Sequence, residues 1–229
     1  MKKGKKAVSL LSGGIDSAVA SAIAKKAGYL IYGLSFDYGQ THRFELSSAK
    51  KLAKHLGFAN HIIFPLPLKQ FGASALLGKG RIPKGRSKDE MQSGIPNSYV
   101  PARNLVFLAI GSAYAESIAA DAVVIGAHTL DYSGYPDCRP EFMDAFQKAV
   151  NLGTKAGVEK RLIKIWAPLI NMSKVEIIKT GLELGLDFSL TLSCYDPDEK
   201  GRACGECDSC VIRKKAFQDI GKRDPGIYR

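Results

Sequence analysis

Short apolar segments alternate with amphipathic helical segments along most of the chain, and this alternation limits the possible folds more than any other feature. Five segments are almost continuously apolar, at residues 5–13, 29–39, 61–67, 121–128 and 161–169. Helical spacing of apolar residues marks the segments between and after them, at residues 15–28, 44–57, 104–118, 139–155, 173–185 and 209–221. Strands that are apolar on both faces belong to a parallel sheet covered by helices on both sides. The sequence therefore predicts an α/β fold with a doubly wound parallel sheet.

Two stretches depart from this alternation. Residues 68–98 are rich in Gly, Lys, Arg and Ser, and a loop of this length is usually a lid, a binding loop or a disordered segment. The last part of the chain is rich in loops and carries four of the five cysteines. We therefore expect an α/β domain over residues 1–190 and a small cysteine-bearing segment with one helix over residues 191–229.

Composition narrows the class of protein. No apolar run reaches the roughly 18 residues that a membrane span requires, and the basic N-terminus leads into a strand instead of a signal peptide. A cytoplasmic protein without a membrane partner is therefore expected. The formal net charge of +11 suits either a nucleic-acid-binding protein or an enzyme with anionic substrates. The basic residues are spread along the chain, with no arginine-rich tract among aromatic residues.

The stretch LLSGGIDS, residues 10–17, joins the first strand to the first helix. It lacks the lysine of the common phosphate loop and the third glycine of the dinucleotide-binding loop. Its glycine backbone and the hydroxyls of Ser12 and Ser17 would surround an anion at the start of the helix. The alternative is a tight turn in which Ser12 only caps the helix.

Four cysteines, Cys194, Cys204, Cys207 and Cys210, fall within a short loop-rich segment. Two overlapping C-x-x-C units with a fourth cysteine upstream are typical of a structural zinc site with four sulfur ligands. An iron–sulfur cluster and redox-active thiols are the alternatives. Cys138 lies far from this group in the sequence and is not assigned to it.

Three polar and aromatic motifs follow predicted strands or precede a helix, at residues 36–42, 99–104 and 131–142. Ligands of doubly wound folds bind at the carboxyl ends of the strands, where two of these motifs lie. Their side chains suit a flat polar heterocycle that carries an anion. The candidates are Tyr132 and Tyr135 for framing a ring, Asp137 for a guanidine-like edge, Asp131 for Mg²⁺, and Arg103 and Arg139 for a carboxylate or phosphate. Packing tyrosines and loop-shaping prolines are the alternative interpretation.

The loop S-G-G-I-D-S resembles the pyrophosphate loop of the N-type ATP pyrophosphatases, in which ATP is cleaved between its α- and β-phosphates to adenylate an oxygen of the substrate. The resemblance implies a fold like that of the adenine nucleotide alpha hydrolases. It also implies that ATP, with Mg²⁺, is bound by Leu10, Leu11, Ser12, Gly13, Gly14, Ile15, Asp16, Ser17, Ala18, Val19 and Ala20.

The motifs FDYGQTH, SYVPARN and DYSGYPDCRPEF, together with the four-cysteine tail, resemble the 7-cyano-7-deazaguanine synthase family over about residues 6–226. This resemblance implies conversion of 7-carboxy-7-deazaguanine and ammonia to the nitrile at the cost of ATP, a structural zinc ion and a homodimer. The implied catalytic residues are Asp16, Arg103 and Lys174, of which Lys174 stands at a helix start just after the fifth strand. The implied substrate-binding residues are Asp131, Tyr132, Ser133, Tyr135, Asp137 and Arg139.

Two other functions compete with this one. A tRNA-modifying enzyme of the same superfamily would adenylate a base, and it would also account for the positive charge. Such enzymes usually have an RNA-binding domain or a catalytic cysteine pair, and the sequence offers neither outside the probable zinc ligands, so no stable nucleic-acid partner is expected. A zinc-binding interaction module would leave the glycine loop unexplained.

Overall fold

The protein is described by a computed structural model that covers residues 4–72, 74–92, 94–129 and 135–229. One five-stranded sheet has the order β3-β2-β1-β4-β5, and all of its strand pairs are parallel. The strands are β1 (Lys6–Leu10), β2 (Leu30–Asp37), β3 (Asn60–Pro65), β4 (Ala122–Val124) and β5 (Lys164–Trp166). The chain builds outward from β1 to β3 and then returns to β4 beside β1. This reversal places the predicted binding crevice at the carboxyl ends of β1 and β4.

Helices cover both faces of the sheet, which confirms the predicted doubly wound arrangement. They are α1 (Ile15–Lys26), α2 (Phe44–His55), α3 (Lys88–Gln92), α4 (Arg103–Ser117), α5 (Pro140–Gly153), α6 (Lys155–Val158), α7 (Lys174–Glu183) and α8 (Asp208–Asp219). Adjacent residues of β1 serve opposite faces: Ala7 packs with α1, α2 and α7, and Val8 packs with α4 and α5. Both side chains are fully buried, which explains why the strands are apolar throughout.

The long loop is partly structured where it is described. It contains two short 3₁₀ turns, Leu68–Phe71 and Ala75–Leu77, and the short helix α3. Arg86 forms a largely buried ion pair with Asp208, and Gly85 N donates to Glu206 O at 3.0 Å. The middle of the loop is thus attached to the cysteine-bearing segment, while its role as a lid stays a prediction.

The C-terminal segment shares a core with the sheet domain. Phe217 of α8 packs edge-on against Phe188, with ring centroids 5.5 Å apart. Arg213 is 4% exposed, pairs with Asp224 at 2.9 Å and donates to Thr191 Oγ1 at 2.7 Å. The domain boundary near residue 190 therefore stays a prediction. In the part of the chain that the structure describes, none of the helices is long and apolar enough to span a bilayer.

Gly181 of α7 faces α1 at a point where the structure leaves no room for a side chain. A Cβ atom there would lie 2.4 Å from Phe188 Cζ and 2.9 Å from Val19 Cγ2, and both neighbours are buried. We expect Gly181→Ala to lower the free energy of unfolding by about 1–3 kcal/mol in denaturant titrations, because the neighbours must shift. Gly153→Ala is the matched control, since its Cβ would meet nothing within 4 Å. Equal stability of the two variants would contradict this packing.

Candidate active site

A cleft of about 270 Å³ opens at the carboxyl ends of β1, β2 and β4, where the strand order reverses. Its walls come from the glycine loop, the starts of α2, α4 and α7, and the segment that begins the cysteine cluster. The location agrees with the prediction for a doubly wound sheet. Among the residues predicted to bind ATP, Leu10, Leu11, Ser12, Gly14, Asp16 and Ser17 line the cleft.

The glycine loop is held by close backbone packing. Gly13 has a φ of +92°, and a Cβ atom there would lie 2.2 Å from Glu45 O. A Cβ on Gly126, at the end of β4, would lie 2.7 Å from Asp16 C and Ser17 N. The loop therefore fits between α2 and β4 only because both positions are glycine. Ser12 Oγ lies 3.0 Å from Ser17 Oγ, so both predicted hydroxyls lie at the helix start.

Asp16, Lys174 and His128 form a charged cluster beside this loop. Lys174 Nζ lies 2.5 Å from Asp16 Oδ1 and 3.1 Å from His128 Nε2. Burial by itself would raise the pKa of the Asp16 carboxyl, but the nearby Lys174 and His128 outweigh this effect and hold the pKa well below its usual range. Two residues predicted to be catalytic, Asp16 and Lys174, are therefore in direct contact.

Arg103, the third predicted catalytic residue, lies at the other end of the cleft. Its guanidinium carbon is 5.8 Å from the ring centroid of Tyr38 and 6.0 Å from that of Phe107. Phe107 stacks on Phe36 at a centroid distance of 3.9 Å. The rings of Tyr38 and Phe107 thus lie beside the half-buried cation, and such a cation at the cleft suits binding of an anion.

Glu45, in the first turn of α2, also faces the cleft. Its Oε1 accepts a hydrogen bond from Gln40 Nε2 at 2.9 Å. Gln40 is itself fixed, because its Oε1 accepts from Tyr38 N at 2.8 Å and its Nε2 lies 3.3 Å from Phe36 O. Burial raises the pKa of Glu45 to about 7, although Arg103 and Gln40 act in the opposite direction. Glu45 thus carries a carboxyl group that exchanges its proton near neutral pH.

The predicted substrate-binding residues lie in different places. Asp131, Tyr132 and Ser133 are outside the described residues. Tyr135 lines the cleft, and its hydroxyl lies 2.9 Å from Ser98 Oγ. Asp137 Oδ2 accepts from Asn104 N at 2.8 Å, so this carboxylate caps α4. Arg139 is exposed and borders a separate shallow depression together with Asp137.

The four cysteines of the tail come together as predicted. Their sulfur atoms lie within 4.8 Å of one another, with Cys204 Sγ and Cys210 Sγ 4.0 Å apart. Backbone N–H groups point at the sulfurs, including Cys204 N at 3.2 Å from Cys194 Sγ. A tetrahedral zinc site with Zn–S bonds of about 2.3 Å has sulfur–sulfur edges of about 3.8 Å. The donor set and its spacing therefore fit one metal ion.

Cys138 is not part of this cluster. It lines the cleft, and Asn104 Nδ2 lies 3.1 Å from its sulfur. Burial is the main effect that raises the pKa of Cys138 to about 12. Cys138 is therefore an unreactive thiol at neutral pH.

The segment that begins the cysteine cluster also contacts the glycine loop. Leu192 N donates to Gly13 O at 2.9 Å, and Ile15 N donates to Ser193 Oγ at 3.3 Å. Cys194 follows directly in the chain. The cysteine-bearing segment and the glycine loop are thus joined through two adjacent residues.

The residues predicted from the sequence motifs and the residues that line the cleft differ in two ways. Ala18, Val19 and Ala20, predicted to bind ATP, are fully buried in α1 and do not line the cleft. Glu45 and His128 were not singled out. His128 is the last residue of the apolar segment 121–128, and its place at the carboxyl end of a predicted strand is a signal that points to the cleft. Glu45 gave no such signal, since an acidic residue in a first helical turn is ordinary.

Solved structures with a similar fold support the architecture. The structure of a predicted subunit of a tRNA methyltransferase from Methanocaldococcus jannaschii is 17% identical, with a TM-score of 0.50, and the match covers 98% of this chain and 92% of that one. A 4-thiouridine synthetase in a complex with RNA and bound ATP is 18% identical, with the same TM-score of 0.50, and the match covers 93% of this chain and 53% of that one. At these identities the likeness concerns the fold.

Closer relatives match almost the whole chain. The 7-cyano-7-deazaguanine synthase of Desulfatibacillum aliphaticivorans is 52% identical over 97% of this chain and 96% of its own length. That of Syntrophobacter fumaroxidans is 51% identical over 98% of this chain and 96% of its own length. The profile of the family described as queuosine biosynthesis protein QueC matches residues 6–221. The chain therefore belongs to the QueC family of queuosine biosynthesis proteins.

Proposed function

We propose that this protein uses ATP to convert 7-carboxy-7-deazaguanine and ammonia into 7-cyano-7-deazaguanine. One observation above all supports this activity in a member of this family: the glycine loop and the half-buried cation Arg103 border the same cleft. A carboxylate bound at Arg103 and a nucleotide bound at the loop would meet there. The protein would act in the cytoplasm, as its sequence predicts.

The chemistry explains the need for ATP. A carboxylate resists attack because its negative charge repels nucleophiles and an oxide ion leaves poorly. Adenylation turns one carboxylate oxygen into part of AMP, which is a good leaving group, and ammonia then forms the amide. A second adenylation of the amide oxygen allows that oxygen to leave and the nitrile to form. Both steps activate an oxygen on the same carbon, so one cleft serves both.

The residues at the loop end suit the polyphosphate. Backbone N–H groups at the start of α1 and the hydroxyls of Ser12 and Ser17 would hold the phosphates, and Lys174 would neutralise part of their charge. Mg²⁺ bound with ATP would neutralise more of it, and the ionised carboxylate of Asp16 is a suitable ligand for this ion. Asp16 and Lys174 are in direct contact, so a nucleotide bound at the loop would interact with both.

The residues at the other end suit the heterocycle. Arg103 would bind the carboxylate, and Tyr135 would frame the ring. Asp131, Tyr132 and Ser133 belong to this proposal through the family resemblance. Asp137 and Arg139 stay candidates for substrate binding, and Asp137 would act there while also capping α4.

We propose zinc as the metal of the cysteine cluster. Four sulfurs this close together leave space for one ion, whereas an iron–sulfur cluster carries its own irons and sulfides between the thiolates. With four protein ligands, the ion has no open position for substrate, so its role is structural. The homodimer also stays a proposal, and exposed Leu152, Val158 and Leu162 are apolar side chains that such a contact would cover.

Nitrile formation tests the activity directly. We expect the purified protein, given ATP, Mg²⁺, ammonia and 7-carboxy-7-deazaguanine, to form the nitrile as detected by mass spectrometry. Lys174→Met should lower kcat by about 100-fold, because a cation at the phosphates is lost. Lys179→Met is the matched control, since Lys179 is exposed on the same helix, and it should retain full activity.

Two outcomes would contradict the proposal. Absence of the nitrile with the wild-type protein, together with adenylation of tRNA, would favour the tRNA-modifying alternative. Equal loss of activity in Lys174→Met and Lys179→Met would show that Lys174 has no specific role at the phosphates.

Metal analysis tests the cysteine cluster. We expect about one zinc ion per chain in the wild type and in Cys138→Ser, and a strong loss of zinc in Cys204→Ser. Cys204→Ser should also unfold at a lower temperature, because metal binding contributes to folding. Iron together with acid-labile sulfide in the wild type would instead show a cluster.

A further inference from the structure

Glu45 and Arg103 present opposite charges to one cleft without pairing. Both line it, and neither forms an ion pair with another of the described residues. Glu45 Oε1 is held by Gln40, and Oε2 makes no hydrogen bond within the described ranges. Both groups are half-buried, and Arg103 Nη1 donates to Tyr38 Oη at 3.5 Å. A ligand that offers an anion to Arg103 and N–H donors to Glu45 would add charge-assisted hydrogen bonds to both groups and be stabilised there.

Glu45 lies between the glycine loop and Arg103. Its backbone carbonyl packs against Gly13 of the loop, and Arg103 is near enough to lower the pKa of its carboxyl, against the larger effect of burial. A carboxylate oxygen of the substrate must come within bonding distance of the α-phosphate, and the far edge of a bicyclic ring would then point away from the loop. The N–H group that donates to Glu45 is therefore assigned to the incoming nitrogen nucleophile and not to the ring of the substrate.

We propose that the Glu45 carboxylate binds ammonium beside the reacting carbon and accepts the proton that must leave before attack. This inference rests on the proposed function and adds the group that handles its nitrogen. Ammonium is the main form of ammonia in neutral water, and it has no lone pair. The pKa of Glu45, raised by burial to about 7, places proton exchange in the neutral range where such a base works best.

The step balances in protons and electrons. Ammonium gives one proton to Glu45, and the free lone pair of ammonia forms the new C–N bond. The C–O bond to AMP breaks, and its electron pair leaves on the phosphate oxygen. The second proton lost from nitrogen goes to that phosphate, so the products are the amide, AMP and protonated Glu45. Loss of the Glu45 proton to solvent completes the turnover.

The test is Glu45→Gln, with Glu183→Gln on the exposed surface of α7 as the matched control. Three measurements separate a role of Glu45 in delivering ammonia from a role in adenylation. Exchange of labelled pyrophosphate into ATP without ammonia reports adenylation and should stay within about threefold of wild type. The kcat/KM for ammonium should fall by about 100-fold or more. Hydroxylamine is uncharged at neutral pH, so trapping of the acyl adenylate as a hydroxamate should also stay within about threefold.

Gln40→Met is a second variant, because it removes the amide that holds Glu45. Like Glu45→Gln, it should lower the kcat/KM for ammonium and leave the rate of hydroxamate formation unchanged. Glu45→Gln should also fold: the pKa of Glu45 is raised in the folded state, so the ionised group opposes folding as the pH rises toward 7 and above. At pH 8 the free energy of unfolding of Glu45→Gln should therefore be at least that of the wild type. Arg103 and Tyr38 are the charged and titratable groups that face Glu45.

Wild-type use of ammonium by Glu45→Gln would overturn the inference. Loss of pyrophosphate exchange and hydroxamate in proportion to loss of ammonium use would overturn it as well, since Glu45 would then serve ATP or the carboxylate substrate. A wild-type protein that forms neither amide nor nitrile would instead defeat the proposed function, so the two failures are distinguishable.

Discussion

The site depends on a backbone contact that leaves no room for side chains. Gly13 packs against the carbonyl of Glu45, and Gly126 packs against the first turn of α1. These contacts fix the glycine loop between α2 and the end of β4. The hydroxyls of Ser12 and Ser17 add hydrogen bonds within the loop, and Ser12, Asp16 and Ser17 line the cleft. A methyl group at either glycine would separate the elements that position the whole site.

Electrostatics then divides the cleft into two ends. At the loop end, Asp16 and Lys174 form an ion pair. Arg103 lies at the other end, and Glu45 faces the cleft without forming an ion pair with Arg103, so a bound ligand would be able to interact with both groups. The cysteine segment contributes to this arrangement from outside, because Leu192 and Ser193 hold the loop just before Cys194. A metal ion at the cysteines would stabilise the anion-binding loop without touching the substrate.

Features that are set by a local sequence pattern could be predicted from the sequence. Features that depend on contacts between residues distant in the sequence could not. The strands were predictable because both faces are buried, and the cysteine cluster because its ligands are close in sequence. The position of Glu45 at the cleft follows only from the packing of α2 against Gly13, because an acidic residue in the first turn is common to many helices. For Asp137, the motif predicts substrate binding, and the structure adds a contact that the motif did not reveal, because its carboxylate accepts a hydrogen bond at the N-terminus of α4. Burial and distance, not residue type, decide such roles.

The central claim is that one cleft activates both oxygens of a carboxylate by adenylation. Substrate labelled with ¹⁸O in both carboxylate oxygens tests it most directly, with mass spectrometry of the nucleotide products. The account predicts that each labelled oxygen leaves in a molecule of AMP, so that labelled AMP forms twice for every nitrile. Label recovered in inorganic phosphate would show phosphorylation in place of adenylation and would contradict the account.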